Sequence, residues 1–175
     1  MEVLLSELYG EFNMPVVIVQ HRGKDIDTGL CAYLRSRSAL PVSEPEDKEP
    51  IKAGHVYLAP RDYHLLIEDK SFALSIEPPV SFARPSIDVL FESAAQEYHD
   101  RVIGVILTGS NADGARGIAA IKQHGGLTIV EDPNTAAHRE MPEAALARIQ
   151  PDWVLNVGQI GPKLRMLCNS KEYVN

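Results

Sequence analysis

The sequence predicts an α/β domain: a doubly wound, mostly parallel sheet with helices on both faces and an added antiparallel β-hairpin. Three observations carry that expectation. Residues 16–19 (VVIV) and 102–107 (VIGVIL) are apolar runs of the kind found in strands buried on both faces. Segments with apolar residues at helical spacing alternate with such runs, which is the pattern of repeated strand and helix units. A block of short β-like runs, HVYLAP, HLLIED and SFALSIE, separated by turn residues, interrupts the alternation and suggests the hairpin.

The elements follow in order. In residues 2–12, Val3, Leu4, Leu5, Leu8 and Phe12 keep an approximate 3.6 period, so a helix with one buried stripe is expected. Asn13 and Pro15 end it, and the strand at 16–19 follows, delivering Gln20 and His21 at its carboxyl end. Asp27 is placed to cap a helix over 28–38. Residues 41–50, rich in Pro, Glu and Asp, read as an exposed connection with a short strand at its start. A helix opened by Pro85 or Ser86 is expected over 87–98, with Ile87, Leu90, Phe91 and Ala94 facing the core. Beyond the strand at 102–107 the reading is helix 118–124 with a left-handed glycine cap at Gly125 and Gly126, strand 127–130, and helix 142–149 with Pro in its first turn. A strand at 153–157 and a helix at 162–168 close the chain.

Composition narrows the function classes. At 19.3 kDa, with 45% apolar and 23% charged residues, the chain fits one globular domain that needs no metal or disulfide to build a core. The longest uncharged apolar run, residues 14–19, is far short of the ~20 residues a spanning helix needs, so no membrane insertion is expected. The acidic start MEVLLSELYGEF has no basic n-region and is not a secretory signal, and the expected location is the cytoplasm. Cys31 and Cys168 are far apart and read as reduced thiols. A net charge of −7 provides no basic field for nucleic acid, and solvated surface charge accounts for the local cluster Arg22, Lys24, Arg35 and Arg37.

Candidate chemistry concentrates at two strand ends, where open α/β sheets bind their ligands. His21 ends one strand. The segment LTGSNADGARG (107–117) ends another; its three glycines turn the backbone tightly and bring amides to a helix start, where anions and oxyanions are stabilised. Asp113 in this loop reads either as a helix cap or, with His21, as two thirds of a nucleophilic triad. The loop matches neither a phosphate-binding GxxxxGK[ST] nor a GxGxxG fingerprint. His55 and His64 flank a predicted hairpin and could bind a metal together, but no acid or third His supports that spacing, and no metal or cofactor is expected.

Six ordered segments, VVIVQH (16–21), AGHVYLAPRDYHLLI (53–67), RPSIDVLFESAA (84–95), GVILTGSNADGARG (104–117), GGLTIVED (125–132) and MPEAAL (141–146), together resemble the catalytic domain of the CheB family of chemotaxis protein-glutamate methylesterases. The resemblance covers nearly the whole chain, 1–175, as a single catalytic domain without the receiver domain that gates the family by phosphorelay. It implies hydrolysis of glutamate methyl esters on the cytoplasmic methylated helices of chemoreceptors, with glutamine deamidation as a related activity and no cofactor. The family's catalytic histidine falls on His21 and its aspartate on Asp113, and the oxyanion loop falls on Gly109 and Ser110. Ser110 and Asn111 stand where the family has Met and Gly, and Glu140 where it usually has Gly. The family's nucleophile lies in a GxSxGG segment that ends its first strand. That segment has no counterpart in these 175 residues, so the resemblance implies that the first strand and its serine are missing. Ser6 and Ser86 lie on or at helices, and Ser110 alone is expected near the site. The competing expectation is a catalytically inactive module that binds a receptor or signalling partner.

Overall fold

The computed structural model describes residues 2–9, 12–21 and 29–169. The cluster residues Arg22 and Lys24, the cap Asp27 and the helix start Thr28 lie outside the described residues. The element order is α1 (Glu2–Ser6), β1 (Val16–Ile18), α2 (Leu30–Arg37), β2 (Val42–Ser43), β3 (Val56–Leu58), β4 (His64–Glu68), β5 (Ser71–Ser75), α3 (Ile87–Tyr98), β6 (Ile103–Ile106), α4 (Ala115–Gln123), β7 (Leu127–Glu131), α5 (Glu140–Leu146), β8 (Trp153–Leu155) and α6 (Val157–Cys168).

Two three-stranded parallel sheets form the frame, in the orders β1-β3-β2 and β6-β7-β8, and β4 and β5 make a separate antiparallel hairpin. Among the described residues β1 and β2 pair only with β3, and β6 and β8 only with β7, so each sheet has two edge strands and β1 and β6 are one edge of each. One apolar core nevertheless unites them. Ile18, Val42, Val56 and Leu58 of the first sheet and Ile129 of the second pack in one cluster with Leu4, Leu5 and Leu8 of the amino-terminal segment, Leu34 of α2 and Ile160 of α6. Alternate strand residues face the other way, because strand side chains have a period of two. Val17 and Tyr57 meet the hairpin and α3, while Ile106 and Val130 meet α4 and α5. Helices therefore cover both faces, as expected of a doubly wound sheet.

Several elements depart from the expectation, each for a physical reason. The run HVYLAP is no part of the hairpin: it supplies β3, the centre of the first parallel sheet, and only the next two runs pair as β4 and β5. The first helix is one turn long; Glu7 and Leu8 donate to the carbonyls of Leu4 and Leu5, the tightened bonds of a helix end, yet Leu8 and Phe12 remain buried. α6 begins five residues before Pro162, because Asn156 and Gln159 form a capping box that nucleates it upstream. α4 likewise begins at Ala115, and the reason lies in the candidate site.

Candidate active site

The carboxyl end of β1 and the loop after β6 meet at the front of the sheets, so two residues 92 apart in sequence form a pair. The Nε2 of His21 lies 2.7 Å from Oδ2 of Asp113. The Asp113 side chain has no solvent access, whereas His21 is 27% exposed. The carboxylate is inside and the imidazole reaches toward solvent.

Asp113 is held by the start of α3. Its Oδ1 accepts from the Ser86 hydroxyl at 2.7 Å and from the Asp88 N–H at 3.1 Å, and its Oδ2 accepts from the Ile87 N–H at 2.7 Å. Asp88 does the same for the other helix: its Oδ1 accepts from the N–H groups of Gly114, Arg116 and Gly117 at 2.7–3.0 Å. Each helix thus caps the amino terminus of its neighbour, satisfying amides that have no partner within their own helix. Asp113 is a helix cap, as one reading expected, but of α3 and across space, and the same carboxylate binds His21. Ser86 does open α3, although its hydroxyl is committed to Asp113.

Burial pushes the Asp113 carboxyl up, and the hydrogen bonds from His21, Ile87, Ser86 and Asp88 outweigh it, holding the group below the usual carboxylate range. Asp113 is therefore an anion at neutral pH. Asn111 settles the other side of the ring. Its Oδ1 accepts from the Asp113 N–H at 3.0 Å, which turns the amide Nδ2 toward His21 Nδ1 at 3.2 Å. With Nδ1 accepting, Nε2 carries the proton and donates it to Asp113. The basic lone pair of the imidazole is then on Nδ1.

The glycine loop is anchored to the approach to α5. Gly109 N–H donates to the His138 carbonyl at 3.2 Å, Met141 N–H donates to the Gly109 carbonyl at 2.9 Å, and Thr108 N–H donates to the buried Glu131 carboxylate at 2.7 Å. A Cβ on Gly109 would come within 2.5 Å of the flexible end of the Met141 side chain, which would have to shift to admit it. Glu140 begins α5 beside this contact. Ser110 is exposed at the loop, and among the described residues its N–H has no acceptor. Ser6 bonds the Val3 carbonyl on α1 and takes no part in the site. His55 bonds Ser43 and stacks on Tyr57, while His64 is buried against the Pro78 carbonyl, so the two do not converge. Among the described residues no group of three His, Cys, Asp or Glu is arranged to hold a metal ion.

A family model described as CheB methylesterase matches residues 1–164. The chain belongs to the CheB methylesterase family. The crystal structure of the Thermotoga maritima CheB methylesterase catalytic domain superimposes with a TM-score of 0.89 at 35% identity, covering 95% of this chain and 90% of that one. A Leptospira interrogans relative is 48% identical over 161 residues, 91% of this chain and 83% of its own length. The protein-glutamate methylesterase/protein-glutamine glutaminase 2 of Anaeromyxobacter dehalogenans is 40% identical over 94% of this chain, and number 3 of Pseudomonas aeruginosa 39% over 93%. The chain spans about half the length of those last two relatives. CheB membership accounts for the mixed fold with its mostly parallel sheets. Two parts of the site escaped the residue-level reading: the Ser86 hydroxyl on Asp113 and the Asn111 amide on His21. Their only sequence signals were a Ser at a helix start and an Asn two residues before Asp113, and both are also ordinary capping and turn signals.

Proposed function

We propose that the chain carries the proton-transfer half of a Ser-His-Asp hydrolase acting on glutamate methyl esters of chemoreceptors, with glutamine deamidation as a related reaction. The observation that carries this reading is the His21–Asp113 pair, a solvent-facing imidazole on a buried carboxylate. In this reading a serine hydroxyl donates to Nδ1 of His21, in the place that the Asn111 amide now takes. The imidazole removes the hydroxyl proton as Oγ attacks the ester carbonyl, and Asp113 stabilises the imidazolium. The proton then passes to the departing methoxide, which leaves as methanol. Water, activated by the same imidazole, cleaves the acyl-enzyme to free the glutamate carboxylate. The exposed loop at Gly109 and Ser110 supplies the oxyanion contact, with the Ser110 N–H as donor, since that of Gly109 is engaged by His138.

Among the described residues no serine hydroxyl bonds His21, so the reading assigns the nucleophile to none of Ser6, Ser86 and Ser110. The free edges of β1 and β6 over a shared core support a further parallel strand between them, with its carboxyl end beside His21. The test is methanol release from a methylated receptor cytoplasmic fragment. The 175-residue chain is expected to release none. The chain extended at its amino terminus by a strand ending in Gly-x-Ser-x-Gly-Gly is expected to release methanol, and His21→Ala is expected to abolish it. An inert extended chain, or an extended His21→Ala chain that keeps its rate, would overturn the assignment.

A further inference from the structure

Among the described residues, Phe82 has the most exposed large apolar side chain, with its full surface in water. It sits at the tip of a two-residue turn closed by reciprocal bonds between Val80 and Ala83, N–H to carbonyl at 3.1 and 2.9 Å. Both central residues have positive φ, 50° at Ser81 and 64° at Phe82. That geometry suits Asn-Gly and is strained for other residues, most of all for an aromatic one. Strain of this kind persists only where the surroundings impose it, and it gathers at ligand and catalytic sites.

The surroundings do impose it. Arg84 is only 14% exposed; its Nε and Nη2 donate to Asp62 at 3.0 and 2.6 Å, and its Nη1 donates to the Ile76 and Glu77 carbonyls at 2.7 and 3.0 Å. Buried His64 donates to the Pro78 carbonyl. Both ends of the loop are pinned, so the ring is presented rigidly and loses little freedom if it is covered. Ile76, whose carbonyl Arg84 binds, and Tyr63, next to Asp62 in the chain, are also exposed. The tip is near the site, since Phe82 is four positions before Ser86, whose hydroxyl binds Asp113; the chain between them spans at most about 14 Å.

We propose that the turn at 80–83 is a docking finger for the ester-bearing protein, with Phe82 as the anchor that enters an apolar hollow beside the modified glutamate. This rests on the hydrolase reading above and adds to it the surface that recognises a protein rather than a free ester. A rigid aromatic side chain filling a dry pocket is the kind of residue that dominates protein interfaces.

The test compares wild type, Phe82→Ala, Phe82→Trp and the turn-relieving pair Ser81→Asn with Phe82→Gly, each titrated with the methylated receptor cytoplasmic fragment and melted separately. Phe82→Ala and the double variant are expected to weaken binding at least tenfold with melting temperatures unchanged or raised, while Phe82→Trp stays within threefold of wild type. Binding of Phe82→Ala within twofold of wild type overturns the finger, as does a lowered melting temperature for Phe82→Ala, which would make the ring a fold element. A wild-type chain that fails to bind the fragment overturns the receptor reading and, with it, this occupant.

Discussion

Asp113 joins stability and chemistry in one side chain. Removed from water, it is stabilised as an anion by two helix amides, a hydroxyl and an imidazole. A carboxyl depressed on folding binds fewer protons folded than unfolded. It contributes stability above its unfolded value of about 4, and the contribution is lost as pH falls through the lower folded value. Ser86→Ala removes one donor, so it should cost about 1–2 kcal/mol at pH 7 and move the acid-unfolding midpoint to higher pH. Urea titrations at several pH values check this; an unchanged acid profile would show that the hydroxyl adds nothing. At this scale His21 and Asp113 were legible because His21 ends one apolar run and Asp113 lies in the glycine loop that follows another, positions visible in one dimension. Ser86 and Asn111 were not, because their partners are 27 and 90 residues away and a hydroxyl or amide can bond almost any neighbour.

The pair α3 and α4 shows what holds that geometry at the next scale. The helices cap each other through Asp88 and Asp113, which requires their starts to lie in close contact. Gly117 permits it: a Cβ there would come within 2.5 Å of the Phe91 Cβ and 3.0 Å of the Asp88 Cα. Alanine would gain about 1 kcal/mol of helix propensity, but neither obstacle is the free end of a flexible side chain. The clash should therefore win, leaving Gly117→Ala about 1–3 kcal/mol less stable. Gly158 in α6 is the control, since its added Cβ meets only Asn156 at an ordinary 3.5 Å and the propensity gain should appear as stabilisation of up to about 1 kcal/mol. Thermal melts of both variants decide it; a stabilised Gly117→Ala would mean that the helices are not tightly juxtaposed. Helix periodicity placed α3 at its observed bounds, while α1 and α6 missed theirs because terminal bonds and a capping box outweigh the apolar stripe.

Over the whole molecule, two sheets with no described ladder between them share one core. That core, rather than strand pairing, must transmit cooperativity. Leu58 in β3 is fully buried on this side, and the single tryptophan, Trp153, packs against the same cluster from β8 in the other sheet. Leu58→Ala should cost about 2–5 kcal/mol and shift the unfolding midpoint seen by Trp153 fluorescence as far as that seen by far-UV circular dichroism. A Trp153 transition that stays in place would show the sheets unfolding independently.

Residue order alone determined which segments are strands and helices in the second half, which strand ends carry His21 and Asp113, and which family the chain resembles. These are local properties: hydrophobic period and turn chemistry act within a few residues, and motif order survives without coordinates. Only the tertiary structure decided that 56–58 lies between β1 and β2, that Asp113 caps α3 while Asp88 caps α4, that Asn111 sets the imidazole tautomer, and that Phe82 stands in water on a braced turn. Each depends on partners distant in sequence or on which surfaces remain uncovered after packing, and both are settled only when the chain closes on itself.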